Sequence, residues 1–144
     1  MWPDSPVIYQ DNGKLKIKVV AGSFDSTVSP VKTFTLINIY EVNSSENSKL
    51  EIPLSEDSNT LFFQLSGKSW IVNQQIQRGD LGIFSRTGSS IQLKMEEDSK
   101  ASILNGEPID EPIVVYGPFV MNTKKEVLEA FRDFQEGQMG NLVL

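Results

Sequence analysis

The sequence contains no histidine and no cysteine. Imidazole is the commonest metal ligand and the usual general base near neutral pH. Thiolate is the other soft ligand and the material of disulfides. Any catalysis would therefore have to run on carboxylates, Lys, Tyr or Ser alone. An Fe(II) site of the two-histidine-one-carboxylate kind cannot be assembled. A basic footprint is missing too: 13 Lys and Arg stand against 19 Asp and Glu, a net charge of −6. Nucleic-acid binding through phosphates needs clustered cations, so no direct nucleic-acid contact is expected. No run approaches the ~18 apolar residues of a bilayer span. Met1-Trp2-Pro3-Asp4 has neither the charged nor the apolar region of a secretory leader. The expectation is a cytoplasmic protein without a membrane contact.

What remains is an ordinary globular composition. Hydrophobic residues make up 39% and charged residues 22% of 144 positions, enough for one self-supporting core at the usual domain size of ~100–150 residues. The expected domain covers 7–140, with 1–6 and 141–144 as tails. From Pro6 to about Leu104 the chain reads as short strands between turn residues. Leu15-Lys16-Ile17-Lys18-Val19 alternates apolar with cationic, the period-two mark of a half-buried strand. Phe34 to Val42, Leu50 to Ile52, Thr60 to Leu65, Trp70 to Val72, Leu81 to Phe84, Ile91 to Met95 and Ala101 to Leu104 follow. Asn12-Gly13, Asp57-Ser58-Asn59, Asn73-Gln74, Gly79-Asp80 and Gly88-Ser89 separate them. Such spacing indicates a sandwich, barrel or jelly roll. Phe62, Phe63, Trp70 and Phe84 read as barrel filling.

One helix is expected at the C-terminal end. Thr123-Lys124-Lys125-Glu126 is a capping box, Val127, Leu128, Phe131 and Phe134 form an amphipathic stripe, and Gly137 suits a left-handed C-cap. Before it, 106–122 carries three prolines, each removing a ladder donor. Yet Ile113 to Tyr116 and Phe119 to Met121 are strongly apolar. An edge strand and a rigid extended stretch that need cover are expected there. Glu96-Glu97-Asp98 reads as a solvated turn, and Glu107, Asp110 and Glu111 as acids that satisfy backbone donors.

The stretch from Gly106 to Thr123, GEPIDEPIVVYGPFVMNT, resembles the C-terminal signature of the pirins. The helix ending in Phe131-Arg132-Asp133-Phe134-Gln135-Glu136-Gly137 continues the likeness. Val19-Val20-Ala21-Gly22, Pro30-Val31-Lys32-Thr33 and Arg78-Gly79-Asp80-Leu81 extend it upstream, so that it runs from about Val7 to Gly140. The resemblance implies a mainly β, cupin-type (jelly-roll) barrel with one C-terminal α-helix. Pirins are similar to two such barrels in tandem. The first holds iron through three histidines and a glutamate and carries a quercetin-dioxygenase activity, and the second lacks the metal. This chain resembles the second. Taking Gly67 as the closing glycine of a cupin metal motif puts Thr60 at its acid position and 53–56 where its histidines belong. The third histidine would fall in Thr87-Gly88-Ser89-Ser90. Every ligand position is thus a non-ligand.

No catalytic residue, no metal ligand and no cofactor is expected in this chain. Iron belongs to an N-terminal cupin half. The leading function is a non-catalytic, metal-free cupin domain that packs on a metal-bearing N-terminal pirin cupin, on a second copy or on another protein partner. Ile113, Val115, Tyr116, Phe119 and Met121 form the candidate interaction segment. Lys32, Tyr40, Gln64 and Tyr116 are polar groups that either line a cavity or point outward. The alternatives are a fragment of a quercetin 2,3-dioxygenase, and a small-molecule-binding or transcription-cofactor module.

Overall fold

The structure, a computed structural model, describes residues 4–140. The first three positions of the expected N-terminal tail and all of 141–144 lie outside the described residues. The chain divides after Pro108 into two compact units.

The first unit is all β. Its strands are β1 (Val7–Gln10), β2 (Leu15–Ala21), β3 (Ser23–Phe24), β4 (Thr27–Val28), β5 (Ile37–Ser44), β6 (Ser48–Pro53), β7 (Asn59–Ser66), β8 (Lys68–Ile71), β9 (Gln74–Gln77), β10 (Leu81–Ile83), β11 (Ser90–Met95) and β12 (Ser99–Gly106). Six form one antiparallel sheet in the order β1-β2-β5-β12-β7-β10. Four form a second, β6-β11-β8-β9. β3 and β4 make a small hairpin apart.

The alternation in the sequence decides which faces meet. In β2, Leu15, Ile17, Val19 and Ala21 are buried. In β11, Ile91, Leu93 and Met95 are buried while Ser90, Gln92 and Lys94 are exposed. In β6, Leu50 and Ile52 point the same way as Ser48. With Val42, Phe62, Ala101 and Ile103 these side chains form one core between the sheets, as period-two strands with one apolar face require. The expected jelly roll is therefore two facing sheets, not a ring of closed hydrogen bonding.

Three local expectations change. β5 begins at Ile37 rather than Phe34, whose ring is fully exposed. Of Asn73-Gln74, expected as a turn, Asn73 does lie in one, but Gln74 already starts a strand: β9 is polar except for buried Ile76, and it closes a tight hairpin on β8. Of the four aromatics expected to fill the interior, only Phe62 is wholly buried. Phe84 packs on the core in part, whereas Phe63 and Trp70 lie out of phase with buried Phe62 and Ser69 and fall on the outer faces.

The second unit is a hairpin and a helix. β13 (Val114–Tyr116) pairs with β14 (Phe119–Met121), and α1 (Lys124–Gln135) follows. The capping box forms: Thr123 Oγ1 accepts from the Glu126 backbone at 3.2 Å, and Glu126 Oε2 accepts from the Thr123 backbone at 2.7 Å. Gly137 ends the helix with φ 73°, a conformation open to glycine at little cost. Phe131 meets Tyr116 and Phe119 edge to face, with ring centroids 5.3 and 4.9 Å apart. Phe119 also faces Phe134 at 6.3 Å. These contacts hold helix to hairpin. Among the described residues no helix is long and apolar enough to cross a membrane.

Candidate functional site

The four polar groups expected around a cavity do not come together. Lys32 is exposed. Tyr116 belongs to the hairpin of the second unit and is 65% exposed. Tyr40 and Gln64 do point into the core of the first unit. The Tyr40 hydroxyl donates to the Ser23 carbonyl at 2.5 Å, and its ring meets Phe24 edge-on at 5.4 Å. Burial, with a smaller push from the Asp25 carboxylate, raises its pKa from 10.0 to about 12. A phenol so placed keeps its proton and is no base near neutral pH. Gln64 donates from Nε2 to the carbonyls of Ser66 (2.7 Å) and Lys100 (3.3 Å), while its Oε1 has no protein partner among the described residues.

Part of the positions expected from the cupin metal motif converge, with Ser58 added to them, while Pro53, Glu56 and Ser89 do not line the same pocket. Leu54, Ser55, Ser58, Thr60, Thr87 and Ser90 line one small pocket of about 60 Å³, room for about two waters. Behind it a polar row crosses the inner face of the six-stranded sheet. Asn38 Nδ2 donates to Asn105 Oδ1 at 3.1 Å, and Asn105 Nδ2 donates to Thr60 Oγ1 at 2.9 Å. Hydroxyls and amides can order water, but they are poor ligands for a transition metal. Among the described residues no three His, Cys, Asp or Glu side chains are grouped to hold a metal ion.

An extended apolar feature lies on the opposite side of the six-stranded sheet. Strand register lines up Ile83, Leu61, Leu104 and Ile39 across β10, β7, β12 and β5. In the next row Leu81 stands opposite Phe63, and Leu65 extends the patch along β7. Ile83 is 76% exposed and Leu81 54%. Isolated exposed apolar residues are ordinary, but contiguous patches mark contact surfaces. Sequence reasoning missed this face. The signal was in Thr60 to Leu65, where Leu61, Phe62, Phe63 and Leu65 are apolar at both phases of the alternation, the pattern of a strand covered on both sides.

The expected interaction segment divides between two faces of its hairpin. Tyr116 and Phe119 turn to Phe131 of the helix, and Met121 shares their side. Val115 stands opposite Val120 on the other side, both exposed, and Ile113 is 73% exposed beside them. Helix packing thus uses part of what the sequence marked for a partner.

A family model described as the pirin C-terminal cupin domain matches residues 39–140. A pirin-like protein of Caulobacter vibrioides is 28% identical over 137 residues, 94% of this chain and 49% of the relative. Pirin of Rattus norvegicus is 27% identical over 130 residues, 86% of this chain and 44% of the relative. The crystal structure of a quercetin 2,3-dioxygenase from Acinetobacter baumannii superposes with a TM-score of 0.89 at 33% identity, covering 97% of this chain and 49% of that one. The chain spans about half the length of these relatives.

Proposed function

The chain belongs to the pirin C-terminal cupin family, and from that premise we propose that it is a non-catalytic, metal-free half-module that docks on a metal-bearing cupin. The observation that carries this reading is the pair of in-register apolar rows, Ile83–Leu61–Leu104–Ile39 and Leu81–Phe63, on the outer face of the six-stranded sheet. The relatives are about twice as long as this chain, and an N-terminal cupin is the natural cover. Its docked position would shape access to the partner's metal. The hydroxyl-lined pocket at Thr60 supports the metal-free half of the proposal, because it offers no imidazole, thiolate or carboxylate. The absence of cysteine fits a cytoplasmic location.

The test is titration of the chain with the separately produced N-terminal cupin half of a pirin-like relative. A one-to-one complex is expected, lost in the Ile83→Asp/Leu104→Asp double variant. A complex indifferent to those two charges would defeat the reading.

The likeness to a protein named quercetin 2,3-dioxygenase favours a second reading, the C-terminal fragment of such an enzyme. The two readings separate on the isolated chain. Docking predicts iron far below stoichiometry and no flavonol turnover, whereas a fragment with its own active centre retains both.

A further inference from the structure

The outer face of the four-stranded sheet carries a chemistry unlike the apolar docking face. Across three neighbouring strands the register sets Lys49 opposite Lys94, and Lys94 opposite Trp70. Like charges directly opposed weaken a sheet unless a counter-charge sits between them. Neither lysine makes an ion pair among the described residues. The nearby carboxylates bond to neutral neighbours in place of the lysines. Glu51 Oε1 accepts from Ser90 Oγ at 2.9 Å, and Glu96 Oε1 accepts from Trp70 Nε1 at 3.1 Å. The second bond fixes the half-buried indole in place.

Two adjoining concavities of about 820 and 910 Å³ share Lys49, Lys94 and Trp70. One extends past Gln92 toward Phe84, the other past Asn47 toward Gln10 and Asp11. Together they form a trough along β11, whose length at ~3.4 Å per residue is roughly 20 Å. An elongated ligand fits this shape better than a single ring.

We propose that the trough binds an acidic carbohydrate chain. One sugar ring stacks its apolar face on Trp70, and its carboxylate lies between the ammonium groups of Lys49 and Lys94. Neighbouring strands are ~4.8 Å apart, so a carboxylate on a ring over Trp70 reaches the lysine pair. Gln92, Asn47 and Glu51 supply planar donors and acceptors that a polyhydroxylated ligand satisfies. A purely aromatic acid would desolvate them without repayment. Asp11, Glu51 and Glu96 also face the trough, which restricts recognition to one carboxylate at the lysine pair and disfavours a densely sulfated polymer.

Calorimetric titration of the full chain with trigalacturonate, cellotriose and benzoate tests this directly. Trigalacturonate should bind, with cellotriose weaker by about tenfold or more and benzoate silent. The Lys49→Gln/Lys94→Gln variant, altered only at exposed positions, should bind trigalacturonate no better than cellotriose. Trp70→Leu should abolish binding, and if it unfolds the protein the lysine variant decides alone. No heat with millimolar trigalacturonate, equal binding of cellotriose or benzoate, or an unaffected lysine variant would each overturn the proposal.

Discussion

Tyr40 shows how one side chain ties the core to alkaline behaviour. Its hydroxyl is bonded to the Ser23 carbonyl and its ring is enclosed, so the folded chain holds the phenol proton more tightly than the unfolded chain does. With the pKa raised from 10.0 to about 12, this contribution is whole below the unfolded value and fades as pH climbs through the folded one. Unfolding free energy should therefore fall between those limits. Tyr40→Phe should flatten that alkaline limb, remove the last step of the ultraviolet tyrosinate titration, and cost about 1 kcal/mol at neutral pH for the lost bond. A variant with the same alkaline slope as the parent would show that Tyr40 is not the group responsible. The total absence of histidine told at this same scale that no imidazole site could exist. It could not tell that Tyr40 and Gln64 turn inward while Lys32 does not, because a polar residue in an apolar strand reads alike in either phase.

At the scale of elements, strands were legible where alternation was strong and hidden where it was not. β2, β6 and β11 bury every second residue, and each was visible in the sequence. β9 has the composition Gln-Gln-Ile-Gln and is held by its hairpin partner and one buried isoleucine, neither of which is a local signal. The turn that makes this hairpin places Val72 at φ 57°, a conformation that β-branched residues resist. Val72 is 80% exposed and has little packing to lose. Val72→Gly should raise stability by about 1 kcal/mol, readable as a higher denaturation midpoint with an unchanged slope.

The helix, by contrast, was legible almost to the residue, because a capping box is a local and chemically specific device. Thr123→Ala removes it and should cost about 1 kcal/mol. Faster amide hydrogen exchange should appear in the first turn of α1, with exchange in β7 and β12 unchanged. What the sequence hid here is the division of labour in the hairpin: pairing of Tyr116 with Phe119 and of Val115 with Val120 becomes visible only once the register is known.

For the molecule as a whole, the family and the jelly-roll class could be read from one long signature and many short strands. The apolar outer face could not. The segment from Ile113 to Met121 drew attention because its apolar residues are adjacent in sequence. The outer apolar face is assembled from Ile39, Leu61, Phe63, Leu81, Ile83 and Leu104, which are scattered between positions 39 and 104 and meet only through strand order. On the proposed reading a cupin partner covers this face, and a second copy would take its place when no such partner is present.

Sedimentation velocity over a micromolar-to-millimolar series is the most direct measurement of that claim. The chain should show a sedimentation coefficient that rises with concentration, and the Ile83→Asp/Leu104→Asp variant should remain a monomer throughout. A parent chain that stays monomeric at every concentration, or a variant that associates as readily as the parent, would contradict the account.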